Sequence, residues 1–256
     1  LGGTLDTNSR LIRFGDSSGV TDDRLQFGWQ TDDKLYIQHG DSVIFRTNQV
    51  FRDVSAWYHI VVAYDTTQAT ASNRIKMYVN GEQVTDFSTA NYPSQNYEGA
   101  VNYGTSSLDR LHGIGHNTGF NDSSSQYIAE VNFLDGTALD ASYFGETDSN
   151  TNQWKPKAAE DIKAAVTFGT HGFYLPFSND VLASSFLDTG SGSRHTVTAV
   201  GNVHTDTTIK KLGTASAQFD GTGDALTCPD SSDFTLVDAM FTLEAYVYLS
   251  NTNRQV

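Results

Sequence analysis

The chain has 256 residues, 38% hydrophobic and 12% aromatic, enough for one large domain or two small ones. Thirty acidic residues against sixteen basic ones give a formal charge of -14. A surface of that sign repels phosphate backbones and anionic lipids and excludes nucleic acid as a ligand. No apolar run approaches about 18 residues, which excludes membrane insertion through a spanning helix. The single cysteine, Cys228, excludes an internal disulfide and a multi-cysteine metal site.

Asn, Asp, Ser, Thr and Gly are abundant, with four prolines and two methionines, which together with the aromatic content is a β composition. Residues 24–30 alternate polar and apolar, Thr31-Asp32-Asp33 reads as a turn, and 34–38 resume the alternation, so a hairpin is predicted. Residues 57–64, rich in β-branched and aromatic side chains, are predicted as a central strand. Residues 74–79 and 82–87 flank Asn80-Gly81, two residues that accept the positive φ of a type I′ turn, and predict a second hairpin.

Beyond it, 91–104 read as loop, 111–115 as a short strand and 126–134 as a further alternating strand after a polar turn at 121–125. Short helices are expected at 140–144 and 158–165, the latter too weakly amphipathic to organise a domain. Trp154, Phe168, Phe173, Tyr174, Leu175 and Phe177 mark 146–187 as an extension that packs on a body. A polar run at 188–193 marks a boundary, and strands follow at 195–203, 216–220, 225–228 and 241–249. Many short strands at this spacing predict an all-β, two-sheet antiparallel jelly-roll sandwich with one or two short helices.

The segments AWYHIVVAYDTT and NRIKMYVNGEQV resemble the signature of laminin-G-like, concanavalin A-like jelly rolls, with Trp57, His59, Tyr78, Val79, Asn80 and Gly81 on the pattern. YIAEVNFLDGTALDASYFGETD, WKPK and GTHGFYLPFS are similar to repeated modules in structural proteins of tailed bacteriophages. GTASAQFDGTGDAL and FTLEAYVYLS resemble the opening of the same jelly roll, yet here they come last. The resemblance therefore implies a body at 1–145, an extension at 146–187 and opening strands at 188–256. Those strands either fold back to complete the body, like a circular permutant, or start a second module and donate a strand to a neighbour. Closure within the chain is favoured, because residues 1–145 alone would expose sheet edges. A start at Leu1 without methionine and a stop at Val256 straight after an apolar run read as a window on a longer tandem array.

By the same resemblance the chain is expected to be a non-enzymatic virion structural module of a tail fibre or surface appendage. It would be extracellular, would contact other virion subunits or itself, and would have host-surface polysaccharide as its candidate ligand. An architectural capsid or fibre protein that polymerises by strand donation is the alternative, and a polysaccharide-degrading jelly-roll glycosidase ranks third.

The residues give that third reading little support. A retaining glycosidase needs two carboxyls about 5 to 5.5 Å apart, whereas Glu130 and Asp135 fall on opposite faces of a regular strand and Glu244 stands alone on its own. No catalytic residue is assigned. Of His39, His59, His112, His116, His171, His195 and His204, only His112 and His116 are close, and Gly113 and Gly115 argue against a helical zinc pair. His59 reads as a hydrogen-bonded structural residue. No cofactor is required; calcium would draw on loops 16–23, 117–122 or 220–224, none with diagnostic ligand spacing, so metal residues stay unassigned. Tyr92, Tyr97, Tyr103 and Phe120 are loop aromatics that could stack on a sugar, but packing under their own loops is the plainer reading and ligand-binding residues also stay unassigned. Trp29 and Trp57 are read as core. The glycines at 113–119 lack the lysine of a phosphate loop and signal a turn.

Overall fold

A computed structural model describes residues 9–14, 25–40, 42–97, 112–115, 125–178, 185–187, 196–228 and 240–250. One sheet contains β1 (Ser9–Phe14), β2 (Leu25–Trp29), β3 (Lys34–His39), β4 (Ser42–Val50), β8 (Phe87–Ala90), β9 (His112–Ile114), β14 (Ser185–Leu187), β15 (Thr196–Val200) and β18 (Ala225–Cys228), in the spatial order β14-β15-β18-β9-β1-β2-β3-β4-β8. The other contains β5 (Trp57–Asp65), β6 (Ile75–Val79), β7 (Glu82–Gln83), β10 (Ser125–Asp135), β13 (Phe173–Leu175), β16 (His204–Asp206), β17 (Ser216–Asp220) and β19 (Met240–Leu249). Its order is β16-β17-β10-β19-β5-β6-β7, and β13 joins the free half of β10. A small ribbon of β11 (Gly145–Thr147) and β12 (Trp154–Pro156), the helix α1 (Ala159–Ala165) and two 3₁₀ turns at Ala71–Asn73 and Ala141–Tyr143 complete the described elements. Among the described residues no helix is long and apolar enough to cross a membrane.

Period-2 alternation explains the sandwich. Leu25, Phe27 and Trp29 on β2, Ile60, Val62 and Tyr64 on β5, and Phe241, Leu243, Ala245, Val247 and Leu249 on β19 all point into one core between the sheets. Phe241 joins the layers: its ring meets Phe27 of the opposite sheet at 6.3 Å, Tyr64 at 4.8 Å and Phe133 at 5.6 Å.

The terminal strand holds the second sheet together. β19 pairs with β5 from Met240↔Asp65 to Tyr248↔Trp57, and with β10 from Leu249↔Gln126 to Phe241↔Asp135. Both edges of β19 are thus occupied within the chain, which leaves none to donate to a neighbour.

The hairpin of β2 and β3 forms in the expected place. Asn80 and Gly81, with φ of 49° and 87°, make the second tight turn. Its outgoing strand, however, stops after two residues, because the chain crosses to the other sheet and Phe87 packs on Phe45 at 5.2 Å. The helix expected at 140–144 is a single 3₁₀ turn, Ala141–Tyr143, whose N-cap Asp140 accepts from the Ser142 N–H. Trp29 lies in the core, whereas Trp57 is half-buried on the outer face against Tyr248. The expected boundary at 188–193 lies outside the described residues.

A second apolar cluster covers the outer face of the β5 sheet. Val61 and Leu134 on the sheet meet Ala141, Phe144, Ile162, Phe168 and Tyr174 from the segment that follows β10.

Candidate functional site

Side chains one position out of phase with the core point to that outer face. On three adjacent strands they include His59, Glu244 and Asn132, set side by side because Tyr246 pairs with His59 and Glu244 pairs with both Val61 and Asn132. The Nδ2 amide of Asn132 donates to Glu244 Oε2 at 2.7 Å, and His59 Nε2 lies 2.9 Å from Glu244 Oε1. The Trp154 indole N–H, brought over by β12, donates to His59 Nδ1 at 2.8 Å. That bond fixes the imidazole tautomer: Nδ1 accepts, so the ring proton sits on Nε2 and faces the Glu244 carboxyl. Tyr246 stacks on the same imidazole at 4.3 Å.

These groups are sealed. Glu244 is 0% exposed and His59 1%. Burial pushes the Glu244 carboxyl well above the ordinary carboxylate range against the pull of Asn132. Burial, helped by the charge of Lys211, pulls the imidazole down to about 3 and holds it neutral.

The turn that ends β6 locks the arrangement. Asn80 Oδ1 accepts the His59 backbone N–H at 2.9 Å. A Cβ on Gly81 would lie 2.3 Å from the Trp154 ring, and one on Gly145 would lie 2.5 Å from it, so glycine at both positions gives the indole its seat. The motif residues His59, Asn80 and Gly81 therefore meet in one place.

Glu130 enters through a bulge. The pairing of β10 with β19 shifts register between Ala129 and Asn132, and Glu130 holds a left-handed φ of 57°. Such a conformation costs a non-glycine residue roughly 1–3 kcal/mol and persists only where the surroundings fix it. Here Tyr174 on β13 donates its hydroxyl to Glu130 Oε2. Glu130 is 2% exposed, and burial, opposed by the Tyr174 bond, raises its carboxyl to about 7.

Unlike Glu244, Glu130 reaches a cleft. Its volume is about 470 Å³, and its walls include Glu130, Tyr174, Glu160 and Lys163 of α1, Ser178 and Gly213. The second carboxylate oxygen, Oε1, faces Gly213, where a Cβ would lie 3.6 Å away. The Lys163 ammonium lies 4.7 Å from the centre of the Tyr174 ring.

The structure corrects several expectations. Glu130 does not follow regular alternation, since the bulge resets its phase. Glu244 is not alone: Asn132 and His59 hold it, and its charge and that of Glu130 influence one another. His59 is the structural residue it was expected to be. Tyr92 packs edge-on against Phe45 at 4.9 Å, and the Tyr97 hydroxyl sits 2.9 Å from His39 Nε2, so neither stands free as a sugar platform.

In the 220–224 loop each carboxylate oxygen already faces an N–H donor. Asp224 accepts from the Asn202 and Asp220 backbone, and Asp220 accepts from Thr222 and the Asn202 amide, an arrangement that closes a turn. Loops 16–23 and 117–122, Tyr103, Phe120, His116 and His195 lie outside the described residues, as does the His112 side chain. Among the described residues no three His, Cys, Asp or Glu side chains gather as a metal site.

Two antiparallel sheets face to face, with the final strand inserted between β5 and β10, define a jelly-roll sandwich of concanavalin A type. A laminin G family model, described as the concanavalin A-like lectin/glucanases superfamily, matches residues 3–141. The chain belongs to the concanavalin A-like lectin/glucanase superfamily, a class compatible with carbohydrate binding. No curated protein and no solved structure matches the chain. The matched region ends before β13 and β19, which supply Tyr174 and Glu244 to the site.

Proposed function

We propose that the chain is a non-enzymatic carbohydrate-binding module of a tailed-phage tail fibre or other virion surface appendage, acting outside the cell on a host-surface glycan. The observation that carries the ligand half is the cleft at Glu130, where a desolvated carboxyl oxygen, a second carboxylate from Glu160, a lysine and a serine converge. Support for the non-enzymatic half comes from Glu244. A glycosidase pair must open both carboxyls to one substrate, and Glu244 is enclosed behind Asn132 and His59. The virion half rests on the likeness of segments 127–148, 154–157 and 169–178 to phage structural modules, segments that contribute Glu130, Tyr174, Pro176 and Ser178 to the cleft.

A glycan array followed by an assay for released reducing ends tests the ligand and enzyme halves. Saturable binding without release is expected. Silence across bacterial polysaccharides overturns recognition, and turnover lost in Glu130→Gln overturns the non-enzymatic reading. Antibody against the chain should decorate the appendages of phage particles that encode it, and particles left bare overturn the virion assignment.

A further inference from the structure

The cleft is selective in its chemistry. Tyr174 spends its hydroxyl proton on Glu130 Oε2, which leaves Oε1 as a directed acceptor toward Gly213. Glu160 adds a second acceptor on the exposed rim of α1. The cation of the cleft, Lys163, already rests over the Tyr174 ring near Glu130, and its charge acts on that carboxyl. The Tyr174 hydroxyl holds that carboxylate at the edge of a ring whose face Lys163 already covers, so a ligand ammonium group would be drawn by ionic attraction to Glu130. The overall charge of -14 adds a field of the same sign. The left-handed backbone at Glu130 sets the direction in which its side chain leaves the strand, and the Tyr174 bond holds the carboxyl there.

We propose that the cleft takes the primary ammonium group of an amino sugar within a surface polysaccharide, with Glu130 Oε1 as its principal acceptor and Glu160 as a rim acceptor. This rests on the glycan-binding reading and narrows it to one ligand class. An anionic sugar would meet Glu130 and Glu160 with a single lysine in its favour, and an N-acetylated sugar would lose the charge that the cleft selects.

The sign of one substitution separates these chemistries. Lys163 is exposed, so Lys163→Gln leaves the core untouched while it removes a like charge from an ammonium ligand. Titration calorimetry at neutral pH and low salt, with the glucosamine tetrasaccharide, its fully N-acetylated counterpart and methylamine as probes, reads the outcome.

The free-amine tetrasaccharide is expected to bind at least ten-fold tighter than the acetylated one. Lys163→Gln should tighten it several-fold, Glu160→Gln should weaken it about three-fold, as loss of a partly screened rim charge does, and Glu130→Gln should abolish the selectivity. Glu160 is exposed, so its variant tests the proposal even if Glu130→Gln fails to fold. Methylamine binding as tight as the tetrasaccharide identifies a free small amine as the source and overturns the amino-sugar assignment. Equal binding of both tetrasaccharides, or weakening by Lys163→Gln, overturns the inference yet leaves glycan recognition standing. Failure of every glycan on the array is the separate result that removes the reading beneath it.

Discussion

On the inner face of β5, β10 and β19, Ile60, Val62, Phe133, Phe241 and Leu243 meet the opposite sheet through apolar contact alone. One residue out of phase on the same strands, His59, Asn132 and Glu244 form a polar core of their own, sealed by Trp154, Tyr174 and the apolar residues around them. Apart from the Gln126 amide, which donates to the Arg10 carbonyl of the opposite sheet at 3.0 Å, the inner face relies on shape and hydrophobicity, so many side chains of similar volume would serve there. The outer face needs donors matched to acceptors, because a buried polar group without a partner costs about 1–3 kcal/mol. The first arrangement builds a sandwich, and the second attaches a specific segment to it and thereby shapes a cleft.

The contrast can be broken from the inner side first. Phe241→Ala should cost about 4 kcal/mol in urea unfolding, the largest effect expected, because the ring is fully buried at the junction of the two sheets. A loss below about 1 kcal/mol would show that β19 does not bridge the layers as described.

The outer face should answer to pH, and the inner face should not. Glu130 titrates at about 7 in the folded chain against an ordinary value of 4.5, so the folded state holds its proton more tightly. Its contribution to stability is complete below about 4.5 and is lost as pH rises through about 7, by about 3 kcal/mol at most. Glu244 acts in the same sense and continues to higher pH. His59 acts in the opposite sense: held neutral with a value of about 3 against 6.5, it favours folding above 6.5 and loses that contribution as pH falls toward 3. Between about 4.5 and 6.5 His59 offsets one of the two carboxyls, so the melting temperature should fall gently there, and above about 7 Glu244 alone carries the fall toward alkaline pH. Glu130→Gln should flatten the fall between about 4.5 and 7 while the alkaline limb stays, and an unchanged slope below 7 would contradict the burial of this carboxyl.

Smaller effects sharpen the boundary between the faces. Gly81→Ala places a methyl against the Trp154 ring at a left-handed φ, and should cost about 2 kcal/mol while it loosens the extension, readable as faster amide exchange in β12 than in β2. Equal exchange in both strands would mean that Trp154 does not depend on this glycine. Arg46→Gln removes an ion pair to Asp32 that is about one-third exposed, away from both clusters, and should shift stability by less than about 1 kcal/mol.

The inner face was legible because it follows strict alternation. Residues 25–29, 34–39 and 240–249 carry that pattern openly, 57–65 are marked instead by a run of β-branched and aromatic side chains, and Asn80-Gly81 announces its own turn. The outer face was legible only in fragments. His59, Asn132 and Glu244 are polar residues inside apolar strands, a signal present in the sequence, but they are far apart in it and meet only because β19 enters between β5 and β10. Glu130 was hidden further, since a bulge inverts the phase on which reading a strand depends, and no local residue announces it. The crossing of the chain after Gln83 escaped for a similar reason: 82–87 alternate well enough for one strand, and tertiary packing of Phe87 on Phe45 divides them.

The central claim is that the outer face is a sealed polar core from which Glu130 alone of the two carboxyls reaches the cleft. Titration of the carboxyl carbons of Glu130 and Glu244 by NMR tests it most directly. The account predicts a midpoint of about 7 for Glu130 and a Glu244 that stays protonated well above the ordinary range. Both carboxyls titrating near 4.5 would contradict it.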